Sequence, residues 1–92
     1  MTTIAEYLKI ARPTLSEGSL KTYTSIITNV GKQMGKDYST PEAVVADYGA
    51  ILEHMKDVPP KNRKTRLASL VVFISATAGN EEAIEAFRKV MM

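Results

Sequence analysis

The sequence predicts an all-α domain, a compact bundle of four to five helices. Three observations carry this. Apolar residues recur at steps of three and four along most of the 92 residues. No segment shows the sustained alternation that marks a half-buried strand. Proline, glycine and small polar residues fall between the periodic segments, where helices start and stop. The length fits one domain, and a hydrophobic content of 45% supplies its core.

The first helix is short, from about Thr3 to Ala11, with Ile4, Ala5, Leu8 and Ala11 on one face. Arg12-Pro13 ends it, because a residue before proline is pushed out of the helical region. Ser16-Glu17-Gly18-Ser19 reads as a linker that offers N-cap side chains. Leu20, Tyr23, Ile27, Val30 and Met34 then form one apolar stripe of a second helix. Several of its outer residues are poor helix formers, so packing must hold it, and Gly35 should stop it.

Ser39-Thr40-Pro41-Glu42 has the pattern of a helix start: a capping residue, proline at the first helical position, then an acid. Ala43, Val44, Ala46, Tyr48, Ile51, Leu52 and Met55 continue the apolar pattern, with Gly49 as a point of division. Val58-Pro59-Pro60 is a stiff break. The next helix is expected from about Lys61 to Ala78, burying Leu67, Leu70, Val71, Ile74 and Ala78 with Phe73 beside them. Val71-Val72-Phe73-Ile74 alone resembles a strand, but it lies inside this long helical pattern. Gly79 should stop the helix and Asn80 cap the last one, whose apolar face is Ala83, Ile84, Phe87, Val90 and Met91. Glu81 and Glu82 at its start and Arg88 and Lys89 near its end suit the helix dipole. The pattern is still strong at Met92, as in a fragment cut near a domain boundary or a helix that docks elsewhere.

Composition removes several kinds of chemistry. The absence of cysteine excludes disulfides, thiolate metal sites and cysteine nucleophiles. His54, the one histidine, has no second ligand at metal spacing and reads as a surface residue near a helix C-terminus. Asp37, Glu42, Asp47, Glu53 and Asp57 do not converge on one helix face and read as a solvated acidic surface. No glycine-rich phosphate loop and no nucleophile motif occurs. No cofactor, metal site or catalytic residue is therefore expected. The longest apolar run, Leu70 to Ile74, is too short to cross a bilayer, and the N-terminus lacks the pattern of a secretory signal.

The net charge of +2 conceals strong segregation. Residues 1–36 carry +3, residues 37–55 carry −4, residues 56–66 carry +4 and the remainder −1. The second positive segment opens a helix with Lys61-Asn62-Arg63-Lys64-Thr65-Arg66. A helix N-terminus favours anions, so cations there oppose the dipole and helix stability does not account for them. A polyanion would. Asn62 and Thr65 add hydrogen-bonding groups suited to phosphates or base edges. Ser19, Lys21 and Thr22 form a second polar and positive helix start. Two such starts are expected to straddle a duplex groove.

At these two places the chain resembles the N-terminal core-binding domain of tyrosine recombinases, the phage-integrase type with a SAM-like helical fold. The motifs are Ser19-Leu20-Lys21-Thr22-Tyr23, Thr40-Pro41-Glu42 followed by Tyr48 and Leu52, and Asn62-Arg63-Lys64-Thr65-Arg66-Leu67-Ala68-Ser69-Leu70 with Phe73 beyond. Their order and spacing cover about residues 3–88. Ser19 and Asn62 stand where the family has threonine.

The resemblance implies one half of a clamp around double-stranded DNA, with the second and fourth helices facing the major groove. Lys21, Lys61, Arg63, Lys64 and Arg66 would contact mainly phosphates; Ser19, Thr22, Asn62 and Thr65 would supply hydrogen bonds. The catalytic half, with its Arg, His-x-x-Arg and nucleophilic Tyr, would be another domain of the parent protein. This chain has no His-x-x-Arg, since His54 is followed by Met55-Lys56-Asp57. Tyr23 and Tyr48 read as core and Tyr38 as loop, so the domain is expected to bind DNA without cutting it. Expected partners are duplex DNA, the parent's catalytic domain and sister protomers on DNA, with no membrane. The expected location is intracellular: cytoplasmic in a bacterium, phage or archaeon, nuclear in a eukaryote. The alternatives are a helical protein–protein interaction module with a basic docking face, a helix-turn-helix regulator and a small enzyme. Val58-Pro59-Pro60 is a poor tight turn for the regulator.

Overall fold

A threonine three residues before a glutamate opens the first helix. The computed structural model describes residues 2–91, and its first element is α1 (Ile4–Ala11). Thr3 Oγ1 accepts from the Glu6 amide at 3.2 Å, and the Thr3 amide donates to Glu6 Oε1 at 3.3 Å. The remaining elements are α2 (Glu17–Met34), α3 (Pro41–Ala46), α4 (Tyr48–Met55), α5 (Pro60–Ile74) and α6 (Glu81–Met91). The described residues are therefore all-helical, with six helices rather than four or five.

The extra helix comes from a break at Asp47, two residues before the expected division at Gly49. Asp47 is tied to Tyr38, whose hydroxyl donates to Asp47 Oδ2 at 3.0 Å. Tyr38 lies in the loop, as expected, but it is 3% exposed and belongs to the core. Tyr23 and Tyr48, expected as core, are only half-buried at its edge. Burial, and then the carboxylate of Asp47, push the Tyr38 phenol well above its ordinary range.

Gly31 and Gly35 bring Tyr38 in. Gly35 has φ 67°, a left-handed helix end that suits glycine. The Lys36 amide then donates to the Gly31 carbonyl at 2.8 Å. The chain folds back so closely that a Cβ on Gly31 would stand 2.9 Å from the Lys36 oxygen.

The buried centre is α5. Every residue from Leu67 to Ile74 except Ala68 is buried. It packs against α6, α2, α1 and α3. Helical spacing alone predicts a single stripe; a central helix is instead covered on nearly all sides, which is why the valines at 71 and 72 are both inside. Tyr7 of α1 meets Phe73 edge-on with ring centroids 5.6 Å apart. Tyr48 of α4 meets Phe87 of α6 in the same way at 6.4 Å.

Two other boundaries differ from expectation. Ser16 is the N-cap of α2, accepting from the Ser19 amide at 3.2 Å, so residues 17–19 are its first turn and not a linker. At the other side α5 ends at Ile74, and Ala78 is exposed beyond it. Asn80 directs its side-chain amide backwards, donating to the Ile74 carbonyl at 2.8 Å and to Thr77 Oγ1 at 2.7 Å. It thus holds the end of α5, and Gly79, at φ 87°, shapes the turn between. The readings that fall on Met1 and Met92 lie outside the described residues.

Candidate nucleic-acid interface

Two consecutive prolines set the start of α5. Pro59 occupies the N-cap position and Pro60 the first helical position, and no side chain caps this end. Lys61, Asn62, Lys64 and Thr65 are exposed on its first two turns. Thr65 Oγ1 approaches the Lys61 carbonyl at 3.4 Å. Among the described residues the salt bridges are Lys56–Glu53 and Lys89–Glu85. Lys21, Lys61, Lys64 and Arg66 have no carboxylate partner within that set.

Arg63 has a different setting. Its Nε donates to the Met55 carbonyl at 2.8 Å, and its Nη2 to the Val58 carbonyl at 3.0 Å and the Lys56 carbonyl at 3.3 Å. The Met55 carbonyl also accepts from the Val58 amide at 3.1 Å, whereas Lys56 and Val58, just past the end of α4, offer their carbonyls to Arg63. The guanidinium closes that end and joins it to α5.

Arg66 turns toward α2. Its Nη1 donates to Gln33 Oε1 at 3.1 Å, and His54 Nε2 lies 2.9 Å from the same oxygen. Ile26, Asn62, Thr65 and Arg66 line a shallow depression of about 260 Å³ between α2 and α5. Ile26 is the α2 residue that lines this depression, and Gln33 follows it two helical turns on, toward the same face.

The expected start at α2 is placed differently. Ser19 is half-buried, and its Oγ accepts from the Ser16 hydroxyl at 3.1 Å. Thr22 Oγ1 donates to the Gly18 carbonyl at 3.0 Å. Lys21 is exposed and lies on the opposite flank of α2, lining a groove of about 470 Å³ beside α1 with Ser25, Thr28 and Lys32. The start of α5 therefore meets α2 near Ile26 and Gln33, not near Ser19.

Sequence reasoning missed Gln33, Ser25, Thr28 and Lys32. A signal for them was present: residues 18–36 contain no acid, and their only charges are Lys21, Lys32 and Lys36. His54, expected at the surface, is half-buried and joined to Gln33. Among the described residues no group of acidic or histidine side chains could hold a metal, and no helix is long and apolar enough to cross a membrane. Comparison with protein-family models, curated proteins and solved structures finds no match to this chain.

Proposed function

We propose that this domain binds double-stranded DNA through the face made by α2 and the first two turns of α5. One observation carries the reading. Lys61 and Lys64 are exposed on the first two turns of an uncapped helix start, Arg66 lines the adjoining depression with Asn62 and Thr65, and none of the three cations pairs with a carboxylate of the described residues. Cations placed there oppose the helix dipole, and phosphate relieves both costs at once. Lys21 and Lys32 extend the positive surface along the far flank of α2. Asn62 and Thr65 in the depression supply donors and acceptors within reach of a docked backbone or base edge.

The order of the motifs supports a finer form of the proposal: the domain serves as the SAM-like core-binding half of a tyrosine recombinase clamp. The catalytic domain would lie elsewhere in the parent protein, and sister protomers would meet on the DNA. Alone, half a clamp binds weakly, and this domain carries no chemistry of its own.

The test is a backbone-amide chemical-shift titration with a mixed-sequence duplex, repeated with a poly-glutamate chain. The proposal expects duplex-dependent shifts centred on residues 61–66 and on Ile26 and Gln33 of α2. Shifts with poly-glutamate and none with duplex would instead favour the docking module for acidic proteins.

A further inference from the structure

Three helices meet at one side-chain oxygen. Gln33 Oε1 from α2 accepts from Arg66 Nη1 of α5 at 3.1 Å and faces His54 Nε2 of α4 at 2.9 Å. Chemistry fixes the roles. A guanidinium only donates, so the Gln33 amide must present its oxygen to Arg66. His54 Nε2 points at that same oxygen, so it carries a proton and donates as well. The amide is thus held from two sides, and it holds the guanidinium in turn.

The arrangement leaves Arg66 preorganised. Only one donor of its planar fork is engaged within the described residues. The others remain available at the depression lined by Ile26, Asn62 and Thr65. A free arginine loses rotamer freedom when it grips a ligand; one already tethered loses less.

We propose that Gln33 is a positioning residue for Arg66, holding its guanidinium to take a planar pair of acceptors on the bound duplex. This rests on the DNA-binding reading above. Two groups on a duplex offer that chemistry: the oxygens of a phosphate, and the O6/N7 edge of guanine. His54 supports the same oxygen from the far side and does not touch the ligand.

The test is a double-mutant cycle on duplex affinity with Gln33→Leu, Arg66→Gln and the pair. Two probes are used, a mixed-sequence duplex and a duplex selected from a random pool by the wild type. Thermal melts establish that each variant is folded at the assay temperature. Gln33→Leu should weaken binding of the wild type about three- to tenfold and should have no further effect once Arg66 is replaced. If the salt slope falls by about 0.9 in Arg66→Gln, the acceptor is a phosphate. If the slope holds and the preference for the selected duplex flattens, it is guanine. A wild type that binds duplex equally well with and without Gln33 overturns the positioning role, as does a Gln33→Leu effect that persists in the Arg66→Gln background. Both results leave the DNA-binding reading standing. A wild type that binds neither duplex at low salt overturns both.

Discussion

Arg63 Nε donates to the Met55 carbonyl at 2.8 Å, so a residue of the basic cluster holds the end of the preceding helix. Two more carbonyls, of Lys56 and Val58, accept from the same guanidinium. Within six consecutive residues the cluster thus divides into one structural cation, Arg63, two exposed lysines, Lys61 and Lys64, and the half-buried Arg66 turned toward α2.

That division gives the first prediction. Arg63→Met strands carbonyls at the α4 end and should destabilise the domain by about 1.5–3 kcal/mol, the range for hydrogen bonds from a charged donor. Arg63→Lys should rescue little, because an ammonium cannot reproduce the planar fork. Thermal melts check this. In the folded population the salt slope of duplex binding should match the wild type; a slope reduced by about 0.9 would make Arg63 a phosphate contact after all.

The second concerns Tyr38. Its phenol stays protonated in the folded chain to a pH above the ordinary range, because of burial first and Asp47 second. A group whose pKa is raised on folding contributes stability below its unfolded value, near 10. That contribution is lost as pH climbs above it. Tyr38→Phe should therefore flatten the loss of stability above about pH 10. It should also cost about 1 kcal/mol at neutral pH by leaving Asp47 Oδ2 without its donor. Denaturant melts at pH 7 and in the alkaline range measure both, and an unchanged alkaline slope would contradict the assignment.

How much of the fold is legible in the sequence depends on range along the chain. Thr40 caps α3 and Gly35 ends α2 as expected, since each signal involves residues within one turn of each other. The α5 pattern runs on to Ala78 in the sequence because alanine and threonine suit a helix as readily as a turn. Only the Asn80 amide on the Ile74 carbonyl marks the true end. Tyr38 does not show as a core residue because its burial depends on a fold-back over Gly31 and on an acid nine residues away. At the candidate site, exposed Lys61 and Lys64 follow directly from helical spacing. Arg63 cannot be told apart from them by spacing, since its partners are backbone carbonyls that carry no residue identity. Gln33, His54 and Arg66 are brought together only by the packing of three helices.

The glycines supply a third prediction of opposite signs. Gly31→Ala drives a Cβ to within 2.9 Å of the Lys36 oxygen, so the fold-back must shift and stability should fall. Gly49 lies within α4 with no atom within 4 Å of an added Cβ. Gly49→Ala should stabilise by about 0.5–1 kcal/mol through helix propensity. Melts of the two variants side by side test the contrast; equal effects would contradict the difference in space around the two positions.

Thr24 gives the fourth. Its hydroxyl is buried and finds no hydrogen-bond partner among the described residues. Thr24→Val removes that orphaned group while nearly keeping its shape. The expected change is neutral to about 1 kcal/mol stabilising. A clear loss of stability in melts would mean that the hydroxyl has a partner in solution.

The central claim is that Lys61 and Lys64 meet phosphates of a duplex. The most direct measurement is duplex affinity against salt concentration for the wild type and for the Lys61→Ala/Lys64→Ala double variant. The wild type should show a steep linear fall of log affinity with log salt, and the double variant a slope shallower by about 1.8, or about 0.9 per phosphate released. No salt dependence in the wild type, or identical slopes for the two proteins, would contradict it.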